Sequence, residues 1–220
     1  MILFDYFKGT LPEFPAGKPL FIFASHFHAD HYAPVIFQLG EKRENVFYIL
    51  SKEIGKKIPE EYRKRYKDRI RLVKAGERFC LNISEESLIV ETFHSTDEGV
   101  AFWLSCEGKE IYHAGDLNNW WWEGEDMAWN RNMAASYKQE MKKLSGRTAD
   151  LAFIPVDPRQ EQWFYLGAAG FMEQADAKWI FPMHFWEDYT IIPKLIEHPS
   201  SEGWRDRIVE IHKEGEEFIR

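Results

Sequence analysis

Cysteine is nearly absent from this chain. Its two cysteines, Cys80 and Cys106, stand far apart among 220 residues and outside any Cys-x-x-Cys pair. That excludes a disulfide framework. Long apolar runs are missing too: no uninterrupted stretch approaches the roughly 20 residues of a membrane span. Positive charge is in deficit, with 28 Lys and Arg against 36 Asp and Glu. Phosphate-binding surfaces need the opposite balance, so nucleic acid is not an expected partner. Met1-Ile2-Leu3-Phe4-Asp5 has neither the basic start nor the long apolar core of a secretory signal. The expectation is a cytoplasmic protein with no membrane partner. No Gly-x-Ser-x-Gly motif offers a serine nucleophile. No repeat, low-complexity segment or linker divides the chain, which reads as one domain over 1–220.

What the chain does have is a dense group of metal-ligand side chains. His26, His28, Asp30 and His31 fall within six residues, directly after the apolar run Pro19-Leu20-Phe21-Ile22-Phe23-Ala24. That run reads as a buried strand. His26 and His28 are two apart and can turn to one side as the extended chain leaves the sheet. Neutral imidazole with carboxylate suits zinc, manganese or iron better than magnesium or calcium. One turn alone cannot complete such a site, since zinc takes about four donors and a second ion needs more.

The order of elements predicts an α/β protein. Met1–Phe7 reads as a strand, Tyr32–Leu39 as a helix ended by Gly40, and Asn45–Leu50 as a strand. Ser51–Asp68 is helix-prone with a break at Pro59. Short strands punctuated by Gly76, Gly99 and Gly108 then suggest a meander of hairpins between residues 70 and 113. Met127–Leu144 and Gln160–Ala177 read as helices around the strand Leu151–Val156, followed by Trp179–Phe181. A last helix at Trp204–Ile208 and a final strand close the chain. Meanders followed by βαβα units pack as two sheets between outer helices.

The spacing His-x-His-x-Asp-His resembles the signature of the metallo-β-lactamase superfamily, in its compact lactonase-like branch. The resemblance implies a four-layer αββα sandwich of two mixed sheets flanked by helices, here with a shortened N-terminal edge because no hairpin precedes Asp5. It implies two divalent metal ions, zinc first, with manganese or iron as alternatives. One would be held by His26, His28 and His94, the other by Asp30, His31 and His184, with Asp116 shared. Asp116 follows Gly115 after a strand, and His184 closes the apolar stretch Trp179–Met183. Relatives often show His-Thr-Pro-Gly-His or His-Ser-Asp-Gly where this chain has His94-Ser95-Thr96-Asp97-Glu98-Gly99, and Asp97 is a candidate stand-in for His94. Asp5 matches the aspartate that closes an early strand. His113, Asp97, Trp121 and Trp122 are assigned to the surroundings of the metals or to substrate, with Trp120-Trp121-Trp122 as a wall or lid.

The same resemblance implies hydrolysis of a small ester, lactone or phosphoester by a metal-bound hydroxide, with Asp30 orienting it or accepting its proton. Two divalent cations against two carboxylates and a hydroxide leave roughly one positive charge, which favours an anionic small-molecule substrate. An iron-dependent oxidoreductase of the sulfur dioxygenase type is the rival, and a non-catalytic metal-binding protein a third reading. Whether a homo-oligomer covers the shortened edge is open.

Overall fold

The computed structural model describes residues 1–15, 17–83 and 86–219. Its first sheet has four strands in sequential order, β1 (Ile2–Phe4), β2 (Leu20–Ala24), β3 (Val46–Ser51) and β4 (Ile70–Val73). Helix α1 (Ile36–Lys42) links β2 to β3, and α2 (Glu60–Arg65) links β3 to β4. Every pairing in this sheet is parallel, whereas a mixed sheet was expected. Each later strand of this sheet arrives by a crossover connection, and crossovers make parallel neighbours.

The second sheet is mixed. Strands β5 (Arg78–Ile83), β6 (Glu86–His94), β7 (Val100–Cys106) and β8 (Lys109–His113) form the expected antiparallel meander. Helix α3 (Met127–Lys142) then leads to β9 (Thr148–Pro155), and α4 (Leu166–Gln174) to β10 (Asp176–Met183), both parallel to β8. Helix α5 (Ile191–Glu197) follows. Pro182 is tolerated because β10 is an edge strand.

Side-chain alternation sorts the core into three layers of contact. On β2, Leu20, Ile22 and Ala24 pack with Ile36 and Phe37 of α1, while Phe21 and Phe23 face the other sheet. On β7, Val100, Phe102 and Leu104 face inward, and Ala101 and Trp103 pack with the residues of α3, α4 and α5. A strand buried on both faces must be apolar throughout, which explains the unbroken run at Leu20–Ala24. The result is helices, sheet, sheet, helices.

Several boundaries differ from the sequence reading. Helix α1 runs through Gly40 instead of stopping there. A Cβ at Gly40 would lie 2.3 Å from the Tyr48 hydroxyl, so the residue serves close packing and not a helix stop. The helix expected over Gln160–Ala177 is a 3-10 turn at Pro158–Trp163, kinked at Glu161, followed by α4, and β10 has begun by Asp176. Near the C-terminus a short 3-10 turn at Arg205–Arg207 and one bridge from Ile208 to Ile180 replace the final helix and strand. Among the described residues, no helix is long and apolar enough to cross a membrane.

Candidate metal centre

Strands β2, β8, β9 and β10 run parallel within their sheets, and the ends they deliver meet at one edge of the sandwich with the β6–β7 turn. His26 and His28 follow β2, Asp116 follows β8, Asp157 follows β9 and His184 follows β10. Two groups of donors result. His26, His28, Asp97 and Asp116 form one, and Asp30, His31 and His184 the other, each with its ligand atoms within 4.8 Å of one another. Asp116 joins them: its Oδ2 lies 3.3 Å from His26 Nε2, and its Oδ1 3.1 Å from His31 Nε2 and 3.6 Å from His184 Nε2. Asp30 Oδ2 is 3.5 Å from Nε2 of both His31 and His184.

His94 is the exception. It is exposed and belongs to neither group. The residue is still held in the ladder opposite Val100, so its side chain stops short of the cluster. The turn after it reaches further. Ser95 Oγ accepts from the Asp97 amide at 3.1 Å, a side-chain turn that carries Asp97 to within 3.8 Å of His28 Nδ1. The aspartate therefore stands among the donors where the histidine was expected.

Behind the donors lies a second ring of polar groups. Asp5 accepts from the Ser25 amide and hydroxyl, both at 2.7 Å, and its Oδ2 is 2.7 Å from His31 Nδ1. Ser25 Oγ is also 3.0 Å from His26 Nδ1. Asp157, fully buried, lies 2.9 Å from His184 Nδ1 and is gripped by the Arg159 guanidinium. A carboxylate on Nδ1 fixes the tautomer and leaves Nε2 as a lone-pair donor aimed inward. Sequence reasoning missed Asp157 and Arg159. The only signal was an acid closing the apolar strand Leu151–Val156.

The electrostatics follow from this crowding. Burial opposes charge on His31, but Asp5, Asp116 and Asp30 outweigh it and push its pKa up to about 12. Burial likewise opposes charge on His184, yet Asp157 and Asp30 raise it to about 9. Burial works against ionisation of Asp116, but His26 and His31 hold its carboxyl well below the usual range. His184 and His31 do the same for Asp30. Such a cluster attracts positive charge strongly. His113 differs: burial drives its pKa down to about 4. Its Nδ1 accepts from the Gly115 amide at 3.1 Å, its ring stacks on Phe4, and its Nε2 is 3.9 Å from Asp5. It packs behind Asp5, away from the cleft.

The residues fit a metal. His31 Nε2 and Asp116 Oδ1 are buried 3.1 Å apart, with no partner but each other. Buried polar atoms are rarely left unpaired, and a cation is the partner that two lone-pair donors share. Backbone strain marks the same place. Asp5, His184, Trp186 and Glu187 have φ of 45°, 64°, 52° and 64°, which costs about 1 kcal/mol or more apiece and clusters at functional sites.

A cleft of about 320 Å³ opens over the donors, lined by His28, Asp30, Asp97, Asp116 and His184 with Trp120, Trp122, Trp129, Met133, Arg159 and Trp186. Trp120 donates from Nε1 to the Asp116 carbonyl, sets its ring against His184 and stacks on Trp122. Trp121, expected in the wall, turns away and packs on Trp163. Consecutive residues of an extended loop point to opposite sides, so the three tryptophans cannot all face the cleft.

No protein-family model matches the sequence, and no curated protein matches it significantly. Solved structures do. CmlA, a di-iron β-hydroxylase from Streptomyces venezuelae, superposes with a TM-score of 0.52 at 14% identity, over 92% of this chain and 44% of that one. The metallo-β-lactamase fold protein YhfI from Bacillus subtilis gives 0.40 at 10% identity, over 75% and 64% of the two chains. Zinc-bound PqqB from Methylobacterium extorquens gives 0.43 at 10%, over 76% and 62%. The last two scores carry no weight, and the first speaks to fold alone. The chain spans less than half the length of CmlA. Two face-to-face sheets with helices outside each make a four-layer αββα sandwich. This is the metallo-β-lactamase fold.

Proposed function

We propose that the chain is a metal-dependent hydrolase of small molecules carrying an ester, lactone or phosphoester. His26, His28 and Asp97 would hold one divalent ion, zinc first among the candidates, and Asp30, His31 and His184 a second, with Asp116 between them. The observation that carries this reading is the buried pair His31 Nε2 and Asp116 Oδ1, facing only each other beneath an open cleft that Asp116 lines. Divalent metals there supply Lewis acidity and lower the pKa of a bound water from about 15.7 to roughly 7. The protein's own groups do the rest. Asp30, partly open to the cleft, is placed to accept a proton from the attacking water. Asp5 and Asp157 keep His31 and His184 in the donor tautomer. Trp120 and Trp122 limit water on one side of the cleft.

A second reading is favoured by Asp97. A third carboxylate in place of an imidazole makes the donors harder, which suits iron or manganese, and CmlA is a di-iron β-hydroxylase. The test is to reconstitute the protein separately with zinc, manganese and iron(II). Hydrolysis of esters, lactones and phosphodiesters is measured beside oxygen consumption. We expect hydrolysis with zinc or manganese, lost in Asp30→Ala. Oxygen uptake with iron and no hydrolysis under any metal would favour the oxidoreductase instead. No turnover of either kind would contradict both.

A further inference from the structure

With Asp97 in place of His94, three carboxylates face the metals, and the surplus positive charge implied by two carboxylates is cancelled. Any preference for an anion must then come from elsewhere in the cleft. Among the described residues, Arg159 is the one Lys or Arg on its lining. Its guanidinium lies 4.5 Å from the Trp186 ring and 5.8 Å from that of Trp122, and Nε and Nη2 are bound to Asp157. Asp157 is fully buried, while the Arg159 side chain is 52% exposed. A buried acid and two indoles thus fix the orientation of a guanidinium whose Nη1 is left for a ligand. Little entropy is lost when a fork so restrained binds an oxyanion. Beyond it, Trp129 and Met133 of α3 extend an apolar wall, and Trp129 is 40% exposed. Exposed indoles around an anchored cation suit a flat apolar body.

We propose that Arg159 is the specificity-determining residue of the cleft, binding the carboxylate or phosphate of a substrate whose flat apolar body lies along Trp122, Trp186 and Trp129. This rests on the cleft being the substrate site. It deepens the hydrolase reading by naming the substrate class.

The test is binding, not turnover. 2-Naphthoate, 2-naphthylphosphonate and neutral 2-naphthamide are titrated into the metal-loaded protein and into Arg159→Gln, followed by tryptophan fluorescence and calorimetry. The wild type should bind at least one anion about tenfold or more tighter than the amide, as for one charge-assisted hydrogen bond. Arg159→Gln should erase that difference while holding the amide affinity and the metal content. The better anion separates carboxylate from phosphate substrates. Equal weakening of all three ligands would make Arg159 a mere brace for Asp157, and no weakening, or no binding by the wild type, would equally overturn the proposal. Should Arg159→Gln fail to fold, Arg159→Lys keeps the charge and loses the fork, and must lie between the wild type and loss of discrimination. Anion discrimination without turnover would sink the hydrolase reading and leave this one standing, and the converse result would do the reverse.

Discussion

At the scale of single residues, the contrast between Asp97 and His94 is the sharpest. Asp97→Ala should lower metal affinity by about 100-fold or more, above the roughly 10–100-fold typical of residues behind the ligands. His94→Ala should leave it unchanged, and competition with a chelating dye measures both. Asp5→Asn should fall inside that 10–100-fold range, because it holds His31 and Ser25 from behind and lies in neither donor group. Protons compete with metal at these imidazoles, and the signs can be worked out for the chelated protein. His113, driven down to about 4 from 6.5 by burial, adds stability as pH rises through that window. His184 and His31, raised to about 9 and about 12, stabilise fully below 6.5 and lose this as pH climbs. The melting midpoint of chelated protein should therefore peak near pH 6.5 and decline towards alkaline pH, while the gain from added metal grows. A midpoint rising steadily to pH 9 would refute these shifts. His26, His28, Asp30 and His31 were legible because their spacing is local. Choosing Asp97 over His94 required knowing where β6 ends, which periodicity places only to within a few residues. Asp157 and Arg159 were illegible, since nothing local distinguishes Val156-Asp157-Pro158-Arg159 from an ordinary turn.

Elements set these residues in place through close approach. Gly99, in the β6–β7 turn, has φ 73°, and a Cβ there would sit 2.0 Å from the Ser25 carbonyl oxygen and 2.6 Å from His26 Cβ. Gly99→Ala should cost about 1–3 kcal/mol from conformation alone and push the turn off the metal motif, so chemical denaturation and metal binding should both report the loss. The loop after Asp116 is pinned by Gln160, whose side chain donates to the Asn119 and Trp121 carbonyls. This fixes which indole faces the cleft. Trp122→Ala should raise KM several-fold, whereas Trp121→Ala should change stability and leave KM alone. The β5–β8 meander was legible from its glycine punctuation. The 160–177 segment was misread as one helix because its apolar periodicity continues through the kink at Glu161 (φ 53°). That kink buries Gln160 and leaves Arg159 in the cleft wall, a tertiary demand invisible to local pattern.

For the whole molecule, the sandwich keeps its two sheets together through Phe21, Phe23, Val90, Phe102 and Leu104. Phe23 and Phe102 meet edge to face at 5.1 Å and are fully buried. Phe102→Ala should cost about 3–5 kcal/mol in unfolding free energy. Strands that are apolar on both faces announced this layering in the sequence. The all-parallel first sheet was not announced, because strand direction follows from connections and not from composition. What the sandwich achieves is to bring donors spread from residue 26 to residue 184 to one edge, with Asp116 touching both groups. Metal stoichiometry tests that claim most directly, by elemental analysis of the reconstituted chain and of Asp116→Ala. The account predicts two divalent ions per chain in the wild type and loss of both on removing the shared carboxylate. A wild type that takes up no metal, or an Asp116→Ala protein that keeps its full complement, would contradict it.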